Sequence, residues 1–409
     1  MNLGKFEKLK VNPDWAKLPL FDRKGSRRLA FGEFAQSVND RVEPSDAADE
    51  PYVGLDDLDS GSLHIRRWGK GSDVIGTKLR FRKGDIIFGR RRAYQRKLAV
   101  ANFDGICSAH AMVVRAKQEF VLPDFLLFLM MSDRFMERAV EISVGSLSPT
   151  INWKTLKLEE FVLPLLDQQR RLAEVLSAVD DIGERLERSA LACKDAVDTR
   201  LSVAFGNAAS GRGPAVVTKL LREIAYIQTG IAKGKTYSTN VQTVEMPYLR
   251  VANVQDTRLD LTEIKTIVIP VAEKRRFMLQ EGDVVICEGG DFDQVGRGAI
   301  WRGQISECLH QNHVFALRAD PSVLDPEFLA LQLGSSYGKR YFLSCAKKTS
   351  NLASINSTQV KAFPFQLPAL PTQRRFVSEI GELRSMHVAV DGNLTAAKRF
   401  LVELTKSFA

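Results

Sequence analysis

One segment of this chain occurs twice. Phe161-Val-Leu-Pro-Leu-Leu-Asp-Gln-Gln-Arg-Arg171 returns 204 residues later as Phe365-Gln-Leu-Pro-Ala-Leu-Pro-Thr-Gln-Arg-Arg375. Seven matched positions are identical: Phe, Leu, Pro, Leu, Gln, Arg and Arg. Shorter matches upstream keep the same order. Glu33-Phe-Ala35 matches Glu223-Ile-Ala225, Tyr52-Val-Gly-Leu55 matches Tyr248-Leu-Arg-Val251, and Gly84-Asp-Ile-Ile-Phe88 matches Gly282-Asp-Val-Val-Ile286. His110 with Arg115 matches His313 with Arg318. Asp124-Phe125 matches Glu327-Phe328, and Ser146 with Ile151-Asn152 matches Ser350 with Ile355-Asn356. The offset drifts from 190 to 204 and never reverses. Chance would not keep that order, so the chain reads as two copies of one module held in fixed relation.

Each copy ends in a periodic stretch. Apolar seam positions fall at Leu172, Leu176, Val179, Leu186 and Val197 in the first, with Gly183, Ala190, Cys193, Arg200 and Ala204 completing the steps. In the second they are Phe376, Ile380, Leu383, Val390, Leu394, Leu401 and Leu404, with His387, Ala397 and Phe408 between and beyond. Both series alternate steps of four and three, the 3.5-residue period of a coiled-coil seam. Each stretch is about 33 residues, roughly 50 Å as a helix, too long to lie on one small domain. The simplest partner of each helix is the other. Arg200, Gly183 and His387 interrupt the seam without a reason visible in the sequence.

The rest of each copy reads as a mixed globule. Arg80–Phe88 and Met278–Ile286 look like a Gly-Asp turn leading into a β-strand. Asp124–Met131 and Asp325–Leu333 read as short amphipathic helices entered at an acidic cap near a proline. The polar, Gly/Pro-rich stretch 207–214 is the best linker. The expected architecture is α+β. Residues 1–160 and 207–364 would be two globules, and 161–206 and 365–409 two long helices packed on each other.

Charge is concentrated. Between Arg66 and Lys97 twelve basic residues face only Asp73 and Asp85, a net of +10 in a chain whose total is +9. Arg outnumbers Lys, and Trp68, Phe81, Phe88 and Tyr94 interleave. That pattern fits a polyanion, most often nucleic acid. The competing reading is a solvated surface. Five scattered cysteines suit reduced thiols in a cytoplasmic protein. Neither a signal peptide nor a membrane span is expected.

The order globule, long helix, globule, long helix, with Leu-Pro-x-Leu-x-x-Gln-Arg-Arg at 163–171 and 367–375, resembles the specificity subunit of type I restriction–modification systems. The resemblance runs from about residue 30 to the C-terminus. It implies that each globule is a target recognition domain reading one half of a split site on double-stranded DNA, with the helices as an antiparallel spacer. It also implies two methyltransferase subunits and a restriction/translocase subunit as partners. No cofactor is expected on this chain. S-adenosylmethionine, ATP and Mg belong on the partners.

Candidate DNA-contacting residues follow. The strongest in the first globule are Arg90, Arg91, Arg92, Tyr94, Gln95, Arg96 and Lys97, placed after the predicted strand. Arg66, Arg67, Lys78, Arg80, Arg82 and Lys83 add phosphate-binding capacity. Arginine forks can address guanine and Gln95 adenine. The matching stretch Cys287–Arg297 is acidic and glycine-rich. Glu288, Asp291 and Asp293 could accept from cytosine, while Gln294 and Arg297 could read adenine and guanine. Phosphate contacts there would come from Arg250, Lys274, Arg275, Arg276, Lys347 and Lys348.

The alternative is a self-contained DNA-modifying or DNA-cleaving enzyme. Asn12-Pro-Asp-Trp15 lacks the second proline of an amino-methyltransferase motif. Asp256 with Glu263-Ile-Lys265 has the look of a nuclease triplet, but its twin in the first half does not. Cys308-x-His310-x-x-His313 has metal-ligand spacing without a fourth ligand. A coiled-coil scaffold without DNA binding is disfavoured by the basic window.

Overall fold

The computed structural model describes residues 24–206, 217–292, 294–349 and 352–406. The expected linker 207–214, the stretch Asn12–Trp15, Asp293, Ser350 and Phe408 lie outside the described residues. The fold is α+β. The chain divides into two compact units, one holding residues through Ser189 together with those from Ala389, the other Ala190–Val388.

The first unit centres on a four-stranded sheet in the order Ala35–Val38, Ala111–Ala116, Ile86–Gly89, Leu98–Val100. The second repeats that order with Ala225–Thr229, Val314–Ala319, Val284–Cys287 and Gly298–Ile300. Each unit also pairs its opening strand with the strand that precedes its long helix. Arg27–Ala30 lies against Glu160–Leu163, and Val217–Leu220 against Pro364–Leu367. Phe161 and Phe365 are therefore strand residues, and the long helices begin later, as Leu166–Gly206 and Leu370–Lys406. Proline at 164 and 368 has no N–H for a ladder and closes the strand.

The Gly-Asp turns carry more than a turn. Gly84 and Gly282 both sit at φ +90°, a conformation that favours glycine. The next residue in each case is buried. Asp85 accepts two hydrogen bonds from Arg115, at 2.6 and 2.8 Å, and Asp283 accepts two from Arg318, at 2.8 and 2.7 Å. Each carboxylate also caps its own turn, at the Arg82 and Gln280 N–H. Arg80 and Phe81, expected as part of the turn, instead end a strand of their own, Lys78–Phe81, paired with Arg41–Val42 and Gly105–Cys107.

The short helices are Pro123–Met131 and Pro326–Gly334. The expected amphipathic character is corrected by their burial: Phe125 through Met131 are all inside. A second helix follows each, Asp133–Glu141 and Ser336–Cys345, and covers what would have been an outer face. Asp325 caps its helix through the Glu327 and Phe328 N–H, while the first-copy helix has no side-chain cap.

The repeated Gln of the Leu-Pro motif does a job common to both copies. Gln169 is fully buried, accepts from the Leu122 N–H at 2.9 Å, and donates to the carbonyls of Phe120 and Pro164. Gln373 accepts from the Asp325 N–H at 2.9 Å and donates to Val323 and Pro368. Each amide locks the start of a long helix to the start of a short one. A buried amide is tolerated only because every bond is met.

All the described seam positions are buried or half-buried. In the first unit Leu172, Leu176 and Val179 join one core with Phe400, Leu401 and Leu404. In the second, Val197 and Phe205 join another with Phe376 and Ile380. Within each unit the two helices thus run in opposite directions. The seam interruptions have local reasons. Arg200 makes a two-pronged ion pair with Glu379, at 2.8 and 2.6 Å, and lies over the Phe376 ring. His387 Nδ1 is 3.0 Å from the Ala190 carbonyl oxygen. Gly183 borders a cavity of about 490 Å³ with Ala397 and the 59–67 loop.

Candidate nucleic-acid interface

In the first unit the strand Ile86–Gly89 delivers Arg90, Arg91 and Arg92 to the sheet end. A single helical turn, Ala93–Gln95, follows, with Arg92 and Arg96 at its two ends in the left-handed region, φ 55° and 51°. Neither is glycine, so the loop is strained where the basic residues lie. Arg91, Arg92, Gln95 and Lys97 line a cleft of about 510 Å³ whose opposite wall holds Tyr52, Ser108 and His110. Burial, then Arg91 and Arg90, hold the His110 pKa below its ordinary value. Asp56 and Asp57 also line the cleft, and strand Leu98–Val100 leads back into the core.

The basic window is less free than its sequence suggests. Arg66 bonds Glu184 and, at 2.6 Å, Glu187. Beside it His64 bonds Asp180 at 2.7 Å, which raises the histidine pKa. Arg67 pairs with Asp59 at 2.6 Å, Arg80 with Glu50 at 2.8 Å, and Arg96 with Asp133 at 2.6 Å. Lys97 donates to the Leu55 carbonyl at 2.7 Å, and the buried Lys78 donates to Gly76 at 2.6 Å. Arg90 donates to the Ala109 carbonyl at 3.0 Å, and Arg91 to Ser148 Oγ at 3.1 Å. Arg82, Lys83, Arg92 and Tyr94 are exposed, without an ion pair among the described residues.

The second unit offers the same place with different chemistry. After strand Val284–Cys287 comes Glu288, at 2.5 Å from His313 Nδ1. His313 is the repeat twin of His110, and Glu288 stands where Arg90 stands. Gly289 and Gly290 stand where Arg91 and Arg92 do. Arg297 donates to Gln294 at 2.5 Å and to the Val251 carbonyl at 3.3 Å. Arg250 turns to Glu263, at 3.4 Å, and Lys274 to Glu307, at 2.7 Å. Asp291, Arg275, Arg276, Lys347 and Lys348 are exposed.

One component escaped the sequence reading in the first unit: a hairpin at 144–150. Val144 and Thr150 exchange backbone hydrogen bonds, and Thr150 bridges Arg91. The second unit has its counterpart, Lys347–Lys348 paired with Ala353–Ser354, which in turn pairs with Gly289–Gly290. The available signal was the match of Ser146 and Ile151-Asn152 to Ser350 and Ile355-Asn356.

The enzyme-like motifs do not assemble. Asp256 pairs with Lys339 at 2.7 Å, whereas Glu263 faces Arg250 and Lys265. His310 is buried with Nδ1 2.6 Å from the Val314 oxygen, His313 faces Glu288, and burial pushes the Cys308 thiol up to about 12. No metal-ligand cluster occurs among the described residues, and no helix among them is long and apolar enough to cross a membrane.

Residues 40–191 match the family model described as "Type I restriction modification DNA specificity domain". Over this stretch the chain is similar to a type I specificity domain. The chain is also similar to named specificity subunits. It is 25% identical over 167 residues to the putative MjaX subunit of Methanocaldococcus jannaschii, a match covering 41% of this chain and 39% of that protein. It is 23% identical over 330 residues to the StySPI subunit of Salmonella potsdam, covering 78% and 69%. A solved chain of a type I restriction–modification system superposes with TM-score 0.57 at 22% identity, covering 94% of this chain and 97% of the other. The specificity subunit from M. genitalium gives 0.56 at 14%, covering 98% of both. These two structures establish the fold.

Proposed function

We propose that this chain is the DNA sequence-recognition subunit of a type I restriction–modification complex. Each unit reads one half of a split, asymmetric target on double-stranded DNA. The two long helices act as an antiparallel coiled-coil spacer that sets the gap, as dimer geometry sets operator spacing. At 41 and 37 residues they are roughly 60 and 55 Å long. The chain itself performs no catalysis. It directs two methyltransferase subunits and a restriction/translocase subunit, which would carry S-adenosylmethionine, ATP and Mg, in a cytoplasmic setting.

One observation carries the reading. The same sheet, loop and hairpin occur twice, with arginines in one loop and a glutamate with glycines in the other. One scaffold with two contact chemistries is what two unlike half-sites require. The test is a methylation map of a methylation-free host expressing this chain with its methyltransferase partner. A split motif with a fixed gap and one mark on each strand is expected. A continuous motif would remove the spacer role, and no methylation despite a stable complex would remove the recognition role.

A further inference from the structure

The hairpin beside the arginines has an unusual tip. Leu147 is 92% exposed and Val144 78% exposed. Gly145, at φ +116°, turns the chain between them. The hairpin is fastened to all three arginines. The Ile151 N–H donates to the Arg90 carbonyl at 2.9 Å, Arg91 Nε donates to Ser148 Oγ at 3.1 Å, and the Arg92 N–H donates to the Pro149 carbonyl at 2.7 Å. Wherever the arginines dock, the leucine docks with them.

A single exposed leucine on a soluble surface needs no explanation. This one differs in two respects. It stands on a hairpin braced by backbone bonds, so its position is set. The second unit also exposes a leucine in the corresponding turn, one position later in the repeat: Leu352, 54% exposed, bonded across the turn to Thr349 and next to the Lys347–Lys348 strand, whose two lysines are exposed. Two copies that differ in loop charge both expose a leucine in this turn next to cations. An occupant must be anionic outside and apolar within. Duplex DNA is built that way, with phosphates flanking stacked bases.

We infer that Leu147 is a base-stack wedge. It enters between adjacent base pairs of the first half-site while Arg90, Arg91 and Arg92 hold the flanking phosphates. The inference rests on the DNA-recognition reading and adds a mode of specificity to it. Prying a step apart costs least at flexible pyrimidine–purine steps, so the wedge favours sequence it does not hydrogen-bond. Leu352 would do the same in the second half-site.

The test uses the full chain and a duplex bearing the methylation-mapped motif, with 2-aminopurine placed in turn at each position of the first half-site. Wild type should raise the fluorescence at one step, because unstacking relieves quenching. Leu147→Ala should abolish that rise and bind about tenfold more weakly with an unchanged salt slope, as expected for a lost apolar contact. Leu147→Met should restore both. Being exposed, the position tolerates these changes without unfolding. An unchanged fluorescence rise and affinity in Leu147→Ala would overturn the wedge. So would a variant that keeps its DNA affinity but loses the methyltransferase subunit, since the leucine would then be a protein contact. The parent reading fails differently: neither wild type nor the arginine-loop variants would show salt-dependent binding at all.

Discussion

The loops after Gly89 and after Cys287 occupy the same position on the same sheet and carry opposite chemistry. In the first, His110 faces Arg90 and Arg91, and its pKa is depressed. In the second, its twin His313 faces Glu288. Everything that supports the loops is shared: the strand order, the Asp–Arg pair beneath the turn, the Gln lock at the helix start and the hairpin alongside. The scaffold is held by buried, satisfied groups that tolerate little change. The loop residues lie at the surface and bond mainly to polar groups of neighbouring loops, so they can diverge without unfolding the module. On the proposed reading, recognition in one half could be rewritten while the other is untouched.

The strongest test of that separation alters the shared part. Lengthening the first long helix by four residues should widen the gap in the mapped motif and leave both half-sites intact. A change of base sequence in either half would break the idea of independent readers on a common spacer.

Next comes the basic loop. Replacing Arg90, Arg91 and Arg92 together with alanine should weaken binding by about a hundredfold or more and flatten the salt slope by about three contacts. The circular dichroism spectrum should stay that of the folded chain. Unchanged affinity in a folded triple variant would remove this loop from the interface.

The Gln locks should respond alike in both copies. Gln169→Leu or Gln373→Leu leaves one buried N–H and two carbonyls without their partner and should cost about 2–4 kcal/mol. For units of this size that is a fall of roughly 5–10 °C in thermal midpoint. A loss in one copy only would mean that the two scaffolds are not equivalent. A smaller, sharper probe is Glu288→Gln, which should relax base choice at one position of the second half-site by roughly tenfold and leave the first half-site alone. Relaxation in the first would reverse the assignment of loops to half-sites.

The smallest effect is pH dependence. With its folded pKa depressed, neutral His110 contributes stability present above the unfolded pKa, near 6.5, and lost as pH falls below it. DNA phosphates would offset Arg91 and Arg90 and lift that pKa, so binding should take up a proton and tighten a few-fold as pH drops from 7.5 to 6. His110→Ala should abolish the trend. If it persists, another group titrates in the cleft.

Much of this was legible in the order of residues. The repeat, the strand after each Gly-Asp turn and the two long helices all follow from local patterns: periods of two and 3.5, and residues suited to turns and caps. These are encoded within a few positions of each other and need no knowledge of distant partners. The choice of loop 90–97 came from its basic run after a predicted strand, and that of 287–297 from the alignment of the two copies.

Only the folded chain decided which of those charges remain available. The acids that neutralise Arg66, Arg67, Arg80 and Arg96 are Glu184, Glu187, Asp59, Glu50 and Asp133, and most lie outside the basic window by tens of residues. A net charge counted along the sequence weighs neighbours in the chain, whereas Coulomb interactions act between neighbours in space. For the same reason the hairpin at 144–150 joined the arginine loop only in three dimensions, since backbone hydrogen bonds across that separation have no signature in either segment alone. The sequence by itself determined that there are two modules and where they differ. The tertiary structure decided which side chains at those differences stay exposed and which are held by partners distant in sequence.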